Sequence, residues 1–276
     1  EIPKRDWSSD VCSSDLWPMR MTSLKWVLLV GLAVLLPASA FAQTDEIQVY
    51  DGGLADVGVF NLTFHSNFTP RGMKSPAPGV LAADKSFNQV PEWAYGVTKW
   101  FEAGLYLPLY NRDTNLGWGY NGFKLRALFA VPGADERKFF YGANFEFSVN
   151  AKRWDSSRIT SEVRPIVGWH LKPVDIIFNP IVDTAYDGVK NLDFAPSMRV
   201  AYNASDLWAV AVEEYADYGP LHDLYGRKDQ SHQIYGVVNY NGKVGVEAGI
   251  GFGLTSASDD VTFKLLLSYD FNAKKK

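Results

Sequence analysis

Charged residues recur at the polar positions of alternating apolar and polar segments along this 276-residue chain. Arg126, Glu146 and Arg164 fall near the middle of three consecutive segments, and Arg199 and Glu213 fall near the middle of a neighbouring pair. Opposite charges on adjacent strands can form cross-strand pairs. Such residues could line a constriction that discriminates between solutes, or they could form salt bridges that brace or plug a narrow interior.

Six of these residues form the predicted constriction, because each carries a charge at a position expected to face inward. They are Arg126, Glu146, Arg164, Arg199, Glu213 and Lys264. Further charged or ionisable residues are predicted on the same inward face, namely Glu92, Glu102, Lys124, Glu162, His170 and Glu247.

Catalytic chemistry has little support in the sequence. A lipid hydrolase that acts at the membrane-facing surface of the protein would need a hydroxyl nucleophile and a histidine base within hydrogen-bond reach of each other. His65 and His170 are predicted to face inward, His222 lies in a loop and His232 faces outward at the end of a segment. The chain has no G-x-S-x-G motif and no closely spaced histidines. We therefore predict no enzyme activity, no metal site and no cofactor.

The segments that carry these residues have the period of two that is typical of β-strands. The first segment, for example, alternates the apolar Phe60, Leu62 and Phe64 with polar neighbours. Twelve such segments follow one another, at 58–69, 91–98, 101–110, 119–131, 139–150, 159–171, 175–184, 192–203, 207–218, 231–240, 244–255 and 260–271. The segment at 175–184 fits least well, because Ile177 and Ile181 fall on its polar face and Pro180 interrupts it.

Longer and shorter connections alternate between the segments. The longer ones are 70–90, 111–118, 151–158, 185–191, 219–230 and 256–259, and the shorter ones are 99–100, 132–138, 172–174, 204–206 and 241–243. This alternation and an even strand number are typical of a transmembrane β-barrel. We predict an all-β, antiparallel barrel of about 12 strands, within a range of about ten to fourteen. The 70–90 connection could fold into the mouth as a lid or extend outside.

A secreted β-sandwich also alternates apolar and polar residues and is the main alternative fold. Aromatic residues favour the barrel, because many of them gather near segment ends, among them Trp93, Trp100, Trp169, Trp208 and Tyr269. Rings at the level of the lipid headgroups form the aromatic girdles of membrane barrels.

The first 42 residues are predicted to lie outside the mature domain. Residues 1–18 include Asp6–Leu16, which matches a common sequencing-adapter DNA read in frame, so we interpret them as an artefact. Residues 19–42 have the basic, apolar and A-x-A parts of a secretory signal peptide. The barrel domain then spans residues 43–276, and the one cysteine, Cys12, is lost.

Composition narrows the function further. The chain has 27 basic and 31 acidic residues and a single cysteine, which argues against a nucleic-acid binder and against a disulfide scaffold. We expect its partners to be outer-membrane lipids, lipopolysaccharide, the barrel-insertion machinery and small-molecule solutes.

Two stretches resemble a known family. Residues Trp93–Leu109 and Glu247–Leu266 are similar to the "YGLT…E-G…LP" hairpin and the closing hairpin of the meta-pathway phenol-degradation family of outer-membrane proteins, which are often labelled transporters. The resemblance implies an outer-membrane barrel. Five residues, 272–276, follow the terminal aromatic Phe271, at which many such barrels end.

The predicted function is therefore a channel in the bacterial outer membrane for passive diffusion of small solutes, with aromatic or anionic solutes as candidates. A non-conducting structural or sensory barrel is the alternative, and an outer-membrane lipid hydrolase is the third interpretation.

Overall fold

The computed structural model describes residues 46–74, 81–107, 110–113 and 116–273. The predicted artefact at 1–18 and the predicted signal peptide at 19–42 lie outside these residues. Within the described part, no helix is long and apolar enough to cross a membrane.

Sixteen strands in the described residues belong to one antiparallel sheet. They are β1 Phe60–Arg71, β2 Ser86–Thr98, β3 Phe101–Tyr106, β4 Tyr110–Asp113, β5 Gly117–Tyr120, β6 Gly122–Ala130, β7 Phe139–Asn150, β8 Ile159–His170, β9 Val174–Asn179, β10 Val182–Thr184, β11 Asp193–Phe194, β12 Ser197–Asn203, β13 Trp208–Asp217, β14 Ser231–Asn241, β15 Gly245–Gly253 and β16 Val261–Asp270. Two short 3-10 turns, Ala134–Glu136 and Val189–Asn191, lie in connections.

The sheet closes on itself. β1 pairs with β2 on one side and with β16 on the other, so that Phe64 lies between Pro91 and Leu267. Twelve of the sixteen strands form the closed ring, in the order β1-β16-β15-β14-β13-β12-β9-β8-β7-β6-β3-β2, and the short strands β4, β5, β10 and β11 lie outside this ring order. The barrel therefore has 12 strands, which confirms the predicted fold and strand number. Closure satisfies the backbone hydrogen-bonding groups that an open sheet edge would leave unpaired in hydrocarbon.

Side chains alternate between the two faces of the wall, as the period of two requires. On β6, Leu125 is 49% exposed on the outer surface, whereas its neighbour Arg126 is 6% exposed on the inner surface. Aromatic residues pair on the outside close to the short connections, with ring centroids 5.6 Å apart in Phe139 and Trp169 and 4.9 Å apart in Trp208 and Tyr240. These outward rings agree with the predicted girdle.

Several strand boundaries differ from the prediction. Segment 119–131 is interrupted at Asn121 between β5 and β6, segment 192–203 is divided at Ala195 and Pro196 between β11 and β12, and β3 ends at Tyr106 and not at residue 110. β2 begins at Ser86 and not at residue 91, because Gln89 and Pro91 occupy outward positions and hide the alternation. The predicted loop at 111–118 mostly forms the β4–β5 hairpin, in which Asn111 pairs with Gly119. The polar residues of this hairpin gave no strand pattern in the sequence, because its hydrogen-bonded strands extend beyond the part of the wall that carries outward apolar residues.

The weak segment at 175–184 is divided at Pro180 into β9 and β10. Ile177 and Ile181 point inward, as their positions predicted, and are 3% and 6% exposed. Their apolar character reflects an interior that is itself apolar at this level of the barrel.

The seam between the first and last strands extends past the terminal aromatic residue. The Phe271 amide donates to the Phe60 carbonyl at 2.9 Å. The Asn272 side chain then accepts from the Phe60 amide at 2.9 Å and donates to the Gly58 carbonyl at 2.8 Å. One side chain thus supplies two further hydrogen bonds at the seam.

Candidate functional site: an occluded lumen

The interior of the barrel holds part of the described chain before β1, and wall side chains bind it from Glu46 to Ala55. We call residues 46–57 the lumen segment. Glu46, Ile47, Val49 and Tyr50 are each at most 6% exposed. Contacts with inward side chains of β3, β8, β9 and β16 surround this segment.

The lumen segment enters beside β2. Val57 forms a parallel bridge with Gly96, so the segment runs in the direction of β2 before the chain reverses into β1. A Cβ atom at Gly96 would lie 2.3 Å from the carbonyl oxygens of Ala55 and Asp56. Glycine is therefore required for this close backbone approach.

Cationic side chains of the wall hold the backbone of the segment. Lys264 donates from Nζ to the Ile47 carbonyl at 3.2 Å. Arg164 donates to the Gln48 carbonyl at 2.9 Å. Two of the six residues predicted to form a constriction thus bind main-chain oxygens that would otherwise be buried without partners.

Asn179 on β9 and Glu102 on β3 bind the segment further along. The Tyr50 amide donates to Asn179 Oδ1 at 2.8 Å, and Asn179 Nδ2 donates to the Tyr50 carbonyl at 3.0 Å. The Ala55 amide donates to Glu102 Oε2 at 2.6 Å. The segment is therefore bound along its length by groups from several strands.

An apolar cluster seals one level of the lumen. Val49 and Tyr50 pack among inward residues of four strands, and the buried wall members of this cluster include Leu128, Phe140, Ile166 and Ile177. A Cβ atom at Gly168 would lie 2.1 Å from the Phe140 ring, so this glycine makes room for the ring. At this level of the barrel, apolar wall residues therefore face an apolar part of the segment.

Arg126 on β6 is the centre of one buried ionic network. Its Nη2 lies 2.7 Å from Glu92 Oε1 and also binds Glu102. His65 Nε2 lies 2.9 Å from Glu92 Oε2. Glu146 is the Cα partner of Arg126, yet the Arg126 side chain binds glutamates of β2 and β3.

Glu146 and Arg164 take other partners. Lys124 Nζ lies 3.2 Å from Glu146 Oε2. Arg164 binds Glu162 through two hydrogen bonds, of 2.7 Å and 3.0 Å, in the bidentate geometry that suits guanidinium and carboxylate groups. Arg126, Glu146 and Arg164 therefore lie on three adjacent strands of the wall, but each pairs with a different partner and they do not pair with one another.

A second network joins β12, β13, β15 and β16. Lys264 Nζ lies 2.5 Å from Glu213 and 2.6 Å from Glu247. Arg199 binds Glu213 and lies 3.3 Å from Glu247. Two cations and two carboxylates are thus paired within this wall, and Tyr215 adds a hydroxyl donor to Glu213 at 2.7 Å.

The six predicted residues all lie on the inner wall, in two groups that the lumen segment connects. Glu46 and Tyr50 of the lumen segment join them, although neither was predicted as a site residue. The Glu46 carboxylate accepts from the Tyr106 hydroxyl at 2.9 Å and lies 3.7 Å from Arg164. A weak signal exists in the alternation Glu-Ile-Gln-Val-Tyr at 46–50, which is too short to stand out before the first predicted strand.

The described end of the β1–β2 connection lies against the β7–β8 connection. Leu81 and Ala82 are 4% and 5% exposed, and the Leu81 amide donates to the Arg153 carbonyl at 3.0 Å. Near β1, the Met73 amide donates to Asp259 Oδ1 at 2.7 Å. Burial raises the pKa of Asp259. The predicted choice between a lid and a free loop stays a prediction, since residues 75–80 lie outside the described part.

Two further histidines bind carboxylates. His170 Nδ1 lies 2.7 Å from Asp175, and His232 Nδ1 lies 3.1 Å from Glu214. The Ser258 hydroxyl bonds to the backbone of His232. Within the described ranges, no group of three or more His, Cys, Asp or Glu side chains could hold a metal ion.

Solved structures share this architecture. The COG4313 outer membrane channel from Pseudomonas putida F1 is 13% identical, with a TM-score of 0.56 over 82% of this chain and 100% of that chain. The fold is that of an outer-membrane β-barrel. The NanC porin is 11% identical, with a TM-score of 0.52 over 76% of this chain and 100% of that chain.

No family model matches the chain, and no curated protein does. At these identities the structural likeness concerns the fold. The resemblance to the meta-pathway phenol-degradation family stays a prediction.

Proposed function

We propose that the chain is an outer-membrane channel for passive diffusion of small solutes, and that the lumen segment closes it in the conformation described above. The observation that carries this proposal is the noncovalent binding of residues 46–55 by inward side chains of a complete barrel. A segment held only by hydrogen bonds, ion pairs and apolar contacts can leave without breaking the wall.

The wall is arranged to keep its charges paired when the segment leaves. Arg126 has two glutamate partners on the wall, and Lys264 also has two. Arg164 keeps its bidentate pair with Glu162. Removing one partner of a buried pair costs several kcal/mol, about 3 to 5. Because wall pairs are self-contained, undocking the segment avoids that cost at these cations.

With the segment undocked, these residues would line the permeation path. Fixed charges at a narrow point set which ions and solutes pass. In this proposal Arg126, Glu146, Arg164, Arg199, Glu213 and Lys264 form the selective constriction, with no covalent chemistry and no cofactor. The candidate solutes remain the aromatic or anionic molecules named from the sequence.

Localisation in the bacterial outer membrane follows from the same proposal. Export through a cleaved signal peptide at 19–42 would deliver the chain to the insertion machinery. Its outward aromatic and aliphatic residues would then contact membrane lipids and lipopolysaccharide. Mass spectrometry of the N-terminal proteolytic peptide of the mature protein would test the predicted cleavage before Gln43.

A non-conducting structural barrel is the second candidate. The observation in its favour is the dense set of contacts that fills the lumen, including the apolar cluster around Tyr50. A lipid hydrolase has weaker support, because His170 and His232 bind carboxylates and the Ser258 hydroxyl binds backbone. A phospholipase assay with calcium should give no product.

Single-channel recording separates the first two candidates. The refolded chain from Gln43 onward is compared with a variant in which residues 46–57 are replaced by glycine and serine at equal length. We expect rare, small openings from the first protein and sustained, larger openings from the variant. A variant that is folded and inserted but silent would contradict the channel and favour the structural barrel.

A further inference from the structure

Two side chains of the lumen segment share one binding site on the wall. The Tyr50 ring centroid lies 4.7 Å from the Arg164 guanidinium carbon and 5.5 Å from that of Arg126. The Tyr50 hydroxyl lies 2.7 Å from the Tyr106 hydroxyl. The Tyr106 hydroxyl donates to the Glu46 carboxylate at 2.9 Å, and Arg164 lies 3.7 Å from that carboxylate. The wall thus binds an aromatic ring and a carboxylate together.

The chemistry of this site does not require that the two groups belong to the chain. Guanidinium groups attract the face of an aromatic ring, most strongly where water is excluded. A phenol hydroxyl and a guanidinium both bind carboxylate oxygens. A free molecule that carries a ring and a carboxylate on a short arm could make the same contacts as Tyr50 and Glu46.

A carboxylate ligand would also keep the charge of the site as it is when the segment is docked. Arg126 is shared by Glu92 and Glu102, and Arg164 is bound to Glu162. If the Glu46 carboxylate leaves and another carboxylate enters, the net charge beside these arginines is unchanged. A neutral aromatic molecule or an aromatic amine would change that balance.

We propose that the lumen binds small aromatic carboxylates in the place of Tyr50 and Glu46, and that this binding displaces the lumen segment. This inference rests on the proposed channel function and names its substrate class. A ligand that binds only the undocked form shifts the docking equilibrium by a factor of about 100 when its concentration is about 100 times Kd.

Thiol accessibility measures undocking directly, without reference to conductance. The chain from Gln43 onward has no cysteine. Val49 is 6% exposed in the apolar cluster, so the thiol of a Val49→Cys variant should react slowly with a methanethiosulfonate reagent. We expect 3-phenylpropionate and phenylacetate to accelerate labelling at least about tenfold at concentrations well above Kd.

Matched compounds show whether the aromatic ring, the carboxylate or both are needed to displace the lumen segment. Phenylacetamide and phenol keep the ring without the carboxylate, and cyclohexaneacetate keeps the carboxylate without the aromatic ring. Each should accelerate labelling less than threefold. Equal acceleration by phenylacetamide would overturn the proposed role of the carboxylate, and no acceleration by either aromatic acid would overturn the proposal.

The two proposals can fail separately. If the glycine and serine variant conducts but aromatic acids do not accelerate Val49→Cys labelling, the channel stands and the ligand class is wrong. If labelling responds but the variant is silent, the lumen binds aromatic acids without being a pore. An Arg164→Lys change in the Val49→Cys background keeps the charge and removes the planar guanidinium, and it should raise the acid concentration that gives half-maximal acceleration at least fivefold.

Discussion

Replacing Tyr50 with alanine should release the lumen segment. The Tyr50 ring is 5% exposed, and burying a large side chain contributes about 1.5 to 3 kcal/mol. Its hydroxyl hydrogen bond to Tyr106 contributes about 1 kcal/mol. Contacts with two guanidinium groups contribute about 1 kcal/mol. Because such contributions vary by a factor of two and are not additive, we expect a loss of about 2 to 4 kcal/mol, or about 30- to 700-fold in the docking equilibrium.

The labelling rate of Val49→Cys reports this change. When docking is fast relative to labelling, the rate rises by the same factor as the undocked population. Tyr141→Ala is the matched control, because Tyr141 is 57% exposed on the outer surface and its loss should leave the rate unchanged. A rate within threefold of the parent, in a protein that keeps its heat-modifiable gel mobility, would refute the packing argument.

Three further changes test the wall and the seam. Arg126→Ala removes the guanidinium that pairs with two buried glutamates. In open channels, the reversal potential should therefore move toward cation preference. An unchanged reversal potential would count against the constriction. Lys264→Met should lower the free energy of unfolding by about 3 to 5 kcal/mol. The control Lys243→Met, at an exposed position, should change it by less than about 0.5 kcal/mol. Similar denaturation midpoints for the two variants would contradict the buried network. Asn272→Ala removes two hydrogen bonds at the seam and should cost about 1 to 2 kcal/mol, seen as a lower temperature of the gel-mobility shift; an unaltered transition would show that the seam does not depend on this side chain.

The sequence is sufficient to predict the wall. Each strand alternates two environments, so the period of two in residues such as Leu125 and Arg126 reports the face of each side chain directly. Strand number and the order of long and short connections follow from the same local pattern. The prediction was wrong at Ser86–Val90 and at 111–118, where polar outward residues or strands beyond the apolar band interrupt the pattern.

The contents of the lumen depend on contacts that no local pattern encodes. Tyr50 meets Asn179, which is 129 residues away, and Ile47 meets Lys264, which is 217 residues away. Ion pairing inside the wall also depends on the direction in which each long side chain extends from its strand. Arg126 and Glu146 are Cα partners, but Arg126 reaches Glu92 and Glu102 while Glu146 binds Lys124. Sequence therefore predicts which charges face inward and leaves their partners open.

A reversible disulfide gives the most direct test of the central claim, that the lumen segment closes a channel. Val49 and Ile177 belong to the same apolar cluster, and cysteines are introduced at both positions to join the segment to β9. Single-channel current is recorded from one preparation, first oxidised and then reduced with dithiothreitol. We predict a silent oxidised protein and, after reduction, the rare, small openings expected of the unmodified chain. Equal current in both states, or silence in both from a folded and inserted protein, would contradict the claim.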